Sequence, residues 1–307
     1  MGPCRAQLPD GRWHFQHGPI DIVLGATGDR DEVGLAHQRA WRRFTTVLEE
    51  LVSELPDLRC PIGVDCPVSG VIATRMWSAC APFNSGFITP MAAVAGSVAQ
   101  ELASQYDAPG IDRAWVNNGG DIALFLASEQ SISVGLYADV DQFDAGSLQQ
   151  GLSVDGKFEV HASSQVRGVA TSGWKGRSLS LGIADSVTVL AKTAAEADAA
   201  ATVIANAVNV ADSRIIRLPA TDVKDASDLG LLLVTVSVPP LGSKAVQTAL
   251  QAGLDCAIVL RNKGLICSAV LVCQNQYVAT NTFEIALPAI STTMETAAAQ
   301  QSVCYEN

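Results

Sequence analysis

A chain of 307 residues, 48% hydrophobic and 17% charged, is long enough to bury a large core as one domain or two closely joined halves. Its formal net charge of −11 leaves no basic stripe to neutralise phosphates, which argues against nucleic acid as a partner. No run of about 18 apolar residues occurs and the N-terminus carries no apolar leader, so the expectation is a cytoplasmic protein without a membrane span.

Residues 11–25 alternate around His17-Gly18-Pro19 and predict an N-terminal hairpin. Asp29 or Asp31 then caps a long helix over about 31–55, whose apolar positions, including Ala36, Trp41, Phe44, Val47 and Leu51, fall mostly on one side. A Pro/Gly/Cys-rich connector covers 56–70, and the apolar stretch 71–80 suits a strand or a short helix. Pro82 to Pro90 leads into M-A-A-V-A-G-S-V-A-Q-E-L, a small-residue helix that allows very close packing or the approach of a ligand to its N-terminus. A strand over 115–127 is broken by Asn117-Asn118-Gly119-Gly120-Asp121, and strands 131–137 and 157–162 flank a polar stretch. Further short strands are expected near 214–218, 231–238, 256–260, 264–273 and 276–279, with a helix at about 243–253 among them and a poorly anchored tail from 287. Strands that pair as hairpins among several helices indicate an α+β fold with a mixed or antiparallel sheet.

The densest concentration of polar chemistry lies in residues 166–208. A loop there carries Thr171, Ser172, Gly173, Lys175 and Arg177 between strands, with glycines that let backbone approach a ligand. Arg177 could clamp a phosphate or carboxylate while Lys175 adds charge; a solvated hairpin tip is the plainer alternative. The helix that follows places Asp198 and Thr202 one turn apart on one face, a carboxylate and a hydroxyl that suit Mg²⁺ completed by carbonyls and water. The plainer alternative is an acid favoured by the helix dipole beside a self-bonded threonine; Asn206, another turn along, extends the polar stripe. In the N-N-G-G-D segment the Gly119 and Gly120 amides could face a phosphate or ring, with Asn117, Asn118 and Asp121 hydrogen-bonding it, or the segment could be a tight turn. Asp121 and His161 are the candidate proton carriers. No G-x-G-x-x-G joins a strand to a helix, and no G-x-S-x-G surrounds Ser172. The eight cysteines contain no C-x-x-C pair and read as buried free thiols, with Cys60 and Cys66 as an alternative redox or metal pair.

The order N-N-G-G-D-I, G-V-A-T-S-G, S-V-T-V-L-A-K-T-A-A-E-A-D-A-A-A-T resembles the ApbE-like superfamily, whose best known members are FAD:protein FMN transferases. I-T-P-M-A-A-V-A-G and A-T-V-I-A-N-A-V look like an uncharacterised branch of it, and the resemblance covers about residues 70–280. It implies a T-fold-related α+β architecture with an internal duplication and a flavin-nucleotide (FAD or FMN) pocket between the halves. By the same resemblance, Gly119, Gly120 and Asp121 lie near the nucleotide, Thr171, Ser172 and Gly173 line the pocket, and Asp198 with Thr202 holds Mg²⁺. Residues 1–70 would then be integral to the fold, 71–286 the ApbE-like core and 287–307 a tail. The transferases' A-K-G-Y-like and H-x-x-D-P-x-T-G motifs have no counterpart here. The leading expectation is therefore a protein that binds a phosphate- or carboxylate-bearing small molecule, as a diverged metabolic enzyme. A Mg²⁺-dependent FMN transferase and a non-catalytic assembly partner are the alternatives; the Ala/Gly-rich helix and open strand edges suit homo-oligomer contacts.

Overall fold

The structure, a computed structural model, describes residues 2–136, 156–176 and 178–281. Its chain order begins with three strands, β1 (Cys4–Gln7), β2 (Trp13–His17) and β3 (Ile20–Gly28). Four helices follow: α1 (Arg30–Ser53), α2 (Leu55–Leu58), α3 (Val71–Cys80) and α4 (Val94–Ala103). The hairpin β4 (Ile111–Asn118) and β5 (Asp121–Leu126) comes next, then β6 (Ser131–Leu136), β7 (Gly156–His161), β8 (Gly168–Ser172) and β9 (Ser186–Ala191). The last described elements are α5 (Ala194–Ala207), β10 (Ile216–Pro219), α6 (Ala220–Val223), β11 (Leu233–Ser237), α7 (Ser243–Asn262), β12 (Ser268–Cys273) and β13 (Gln276–Ala279).

Nine of these strands form one sheet in the order β1-β2-β3-β4-β5-β8-β9-β12-β13, and every neighbouring pair is antiparallel. The α+β expectation is therefore met in its antiparallel form. A related run of elements occurs twice: β2–β3, helices, β4–β5, and then β8–β9, helices with the separate β10–β11 pair among them, β12–β13. The two halves meet where β5 pairs with β8.

Side-chain alternation gives the sheet two apolar faces. The larger core lies beneath the long helices and includes Phe15, Leu24, Val116, Ala123, Ala170 and Val189. The opposite face, with Leu124, Leu126, Val169 and Leu190, is covered by Val134 and Val160 of the β6–β7 hairpin. Helix α1 buries Ala36, Ala40, Phe44, Val47 and Leu51, a helical spacing that lays it across β2 and β3. Its first amides are satisfied by Asp29, whose carboxylate accepts from the Asp31 and Glu32 N–H groups. Helix α5 has almost no bulk: eight buried residues, seven of them alanine, let it sit backbone to backbone against its neighbours. A Cβ on Gly96 of α4 would fall 2.2 Å from the Ala194 carbonyl oxygen, and one on Gly168 of β8 would meet the Thr193–Ala194 backbone at 2.2 Å.

Four expectations are corrected. A further strand, β1, precedes the N-terminal hairpin and extends its ladder. Residues 71–80 are helical, with Ile72, Ala73, Met76, Ala79 and Cys80 buried at helical spacing. The predicted strand 256–260 is the second half of α7, because Val246, Ala249, Leu250, Gly253, Ala257 and Leu260 keep one helical stripe buried through Asn262. The described cysteines are free thiols, but only Cys80 and Cys273 are buried, while Cys4, Cys60 and Cys66 are exposed. The tail from 287 lies outside the described residues.

Candidate functional site

The N-N-G-G-D segment is the turn of the β4–β5 hairpin, with Asn118 directly opposite Asp121. Gly119 and Gly120 take φ of 67° and 114°, the left-handed region that glycine enters without a Cβ penalty, so the plainer reading of a tight turn is what forms. Asn117 closes the turn through its side-chain oxygen, which accepts from the Gly120 N–H at 2.8 Å. The turn also aims Asn118 and Asp121 at the helix-covered face of the sheet, where each is 8% exposed. There the Asn118 amide donates to the Ala95 carbonyl of α4 at 3.1 Å.

Asp121 sits where the β5–β8 ladder runs out. The paired positions are Ile122 with Val169 and Ala123 with Gly168. One step further, the Thr171 N–H meets the Asp121 carboxylate at 3.1 Å rather than a backbone carbonyl. Alternation then puts the Thr171 side chain on the opposite face, hydroxyl to hydroxyl with Thr188 at 2.9 Å, and turns Ser172 toward the Asp121 side. Thus the T-S-G segment contributes a backbone amide and Ser172 to this face, while the Thr171 hydroxyl lies behind the sheet.

Asp198 reaches the same place from α5. Its carboxylate accepts the Gly96 N–H at 2.9 Å, a contact that the missing Cβ of Gly96 makes room for. Burial pushes the Asp198 carboxyl well above the ordinary range, and the charge of Asp121 pushes it further; the Gly96 and Ala95 amides offset part of this. Burial likewise raises Asp121 to about 7 against the pull of the Thr171 amide. The buried Cys80 thiol of α3 is pushed up by burial and by the Asp198 charge. Among the described residues, neither carboxylate has an ion-pair partner. Two buried acids thus lie near enough for the charge of one to act on the other, and such a field favours a proton or a cation beside them.

The other candidates fall elsewhere or play other parts. Thr202 lies half-buried one turn along α5 from Asp198. Asn206 is structural, its side-chain oxygen accepting from the Leu181 N–H at 2.9 Å and the Ser180 hydroxyl at 3.2 Å. Lys175 stands 3.7 Å from Asp185, which also accepts from the Trp174 indole N–H at 3.2 Å, so the W-K turn folds onto that acid. Arg177 lies outside the described residues. His161 is exposed, 3.9 Å from Glu159 and opposite Ser131, beyond the Leu126 end of β5 and away from Asp121. Gly96, whose amide fixes Asp198, was visible in the sequence only as one member of a small-residue helix. Among the described residues no three His, Cys, Asp or Glu side chains gather as a metal cluster, and no helix is long and apolar enough to cross a membrane.

Residues 5–281 match the family described as "AbpE bacteria". The chain belongs to that family. Among individual relatives, a UPF0280 protein of Methanothrix thermoacetophila is 38% identical over 167 residues, 53% of this chain and 64% of that protein. A UPF0280 protein of Methanopyrus kandleri is 42% identical over 136 residues, 44% of this chain and 48% of that protein. The chain therefore spans about half to two thirds of the length of the relatives it matches. Among solved structures, the apo form of the Pseudomonas stutzeri flavinyl transferase ApbE is similar, with a TM-score of 0.42 and 14% identity over 91% of this chain and 93% of that one.

Proposed function

We propose that the Asp121–Asp198 pair holds a divalent cation, Mg²⁺ by its donor chemistry, and that the site takes the phosphate of a nucleotide-type ligand, FAD and FMN first among them. The observation that supports this is the meeting of two buried carboxylates with no basic partner among the described residues. The donors fit the ion: Mg²⁺ is a hard cation bound through one or two carboxylates, with water and substrate phosphate completing its shell. When bound, it polarises a phosphoryl oxygen and neutralises the charge that otherwise lifts both acids. The chain's own groups then hold Asp198 through Gly96, hold Asp121 through Thr171, and offer Ser172 on the same face. The flavin part of the reading rests on the resemblance of the N-N-G-G-D and T-S-G motifs and on membership of the family.

Thermal unfolding with FAD, FMN and AMP, each with and without Mg²⁺, tests this directly. A ligand at about 100 times its Kd stabilises by roughly 2.7 kcal/mol, so a Mg²⁺-dependent rise in Tm is expected with a flavin and not with Asp198→Asn. Equal melting of the two proteins under every condition would overturn the proposal. Release of AMP from FAD in the same mixtures would separate a transferase from a protein that only binds.

A further inference from the structure

A concave site lies between α1 and the edge of the sheet at β1 and the β1–β2 turn. It is a groove of about 410 Å³, within the size range of small-molecule sites. The sheet side is formed by Arg5, Gln7 and Trp13, which alternation places on one face; the helix side is a stripe of Arg30, Gly34, His37 and Gln38. No carboxylate lines the groove, although the chain as a whole carries a net charge of −11. Asp29 and Asp31, which flank Arg30, do not line the groove: Asp29 caps the helix and Asp31 stands in its first turn.

Arg5 is held in place. Its guanidinium carbon lies 5.2 Å from the Trp13 ring centre and 5.0 Å from that of Trp41. Stacking of this kind fixes the plane of the fork and leaves its N–H groups free at the edge. Neither Arg5 nor Arg30 makes an ion pair with a described residue. His37 is committed elsewhere, its Nδ1 being 2.7 Å from the Tyr106 hydroxyl, and burial depresses its ring's proton affinity, so the groove's positive charge comes from the two arginines. Gly34 leaves a gap: a Cβ built there meets nothing within 4 Å. A mid-helix glycine costs about 1 kcal/mol relative to alanine, and here it widens the groove.

We propose that this groove binds a small organic anion with a flat apolar body, its carboxylate received by Arg5 and its body lying along the α1 wall in the space that Gly34 leaves open. Isothermal titration of the full chain with sodium benzoate, and with benzamide as the same ring without the charge, tests this. Benzoate is expected to bind at least about tenfold more tightly than benzamide, the worth of one charge-assisted hydrogen bond. Arg5→Gln should weaken benzoate by about tenfold, by the same loss. Gly34→Leu, which fills the gap while favouring the helix, should abolish binding with Tm held or raised. Benzoate binding no tighter than benzamide, no binding of either, or binding that survives either substitution would overturn the proposal. Loss of benzoate in Asp198→Asn alone would place it at the other site and overturn it as well.

Discussion

A carboxyl group kept out of water prefers to keep its proton, and Asp121 makes that preference measurable. Its ordinary value of 3.8 is raised to about 7 by burial. Between those two values the folded chain binds a proton that the unfolded chain has already released, so stability is full on the acid side and falls as pH rises toward 7. In EDTA, the Tm of the wild-type protein should therefore drop between about pH 4 and pH 7 relative to Asp121→Asn, and Mg²⁺ should restore it at pH 8. Parallel melting profiles for the two proteins would show that the acid is not held as described. The type of each acid was readable in the sequence, but their meeting was not. The Gly96 amide that orients Asp198 lies 102 residues away along the chain, and the Thr171 amide that orients Asp121 lies 50 residues away. Only the packing of α4 on α5, and of β5 beside β8, brings these groups together. The Thr171 hydroxyl shows the opposite limit: its position within T-S-G suggested the pocket, yet the two-residue alternation of a strand turns it to the other face.

The elements that hold the site are themselves held by two different devices. One is close approach. Adding a methyl group at Gly96 forces it onto the Ala194 carbonyl oxygen and the Cβ of Asp198, so Gly96→Ala should cost about 3 kcal/mol in urea denaturation and move the carboxylate it carries. The other is a charged network between α1, α3 and α4. Glu101, buried, receives Arg43 at 2.7 Å and Arg75 at 2.9 Å, while Arg43 also reaches Glu50 at 2.7 Å. Glu101→Gln leaves Arg75 without its counter-charge and Arg43 with Glu50 alone. The expected loss is about 3 kcal/mol, at the low end for a broken buried pair because both arginines keep some solvent; unchanged denaturation midpoints would refute it. Periodicity located α1 well, since it buries a clear helical stripe. It failed in the second half of α7, where C-A-I-V-L has the apolar density of a strand and only the stripe continuing from Val246 reveals a helix. The N-N-G-G-D segment read as an interruption of one strand because its turn is short enough for the apolar pattern on both sides to run together.

At the level of the whole molecule, the α+β class and the hairpin habit of the strands were legible, because turn residues punctuate short β-branched runs. The pairing of distant hairpins into one nine-stranded sheet was not, since strand order depends on contacts between residues far apart in sequence. That order has a weak place. Seven of the eight joins in the sheet are ladders of four or more paired positions, but the join between the halves has only two, Ile122 with Val169 and Ala123 with Gly168. Asp121 stands at the end of this short ladder and takes over its next hydrogen bond, with α5 and Asp198 lying across the join. A cation held between the two acids, as proposed, would thus be a rivet as much as a ligand, fastening one half of the sheet to the other where backbone pairing is thinnest.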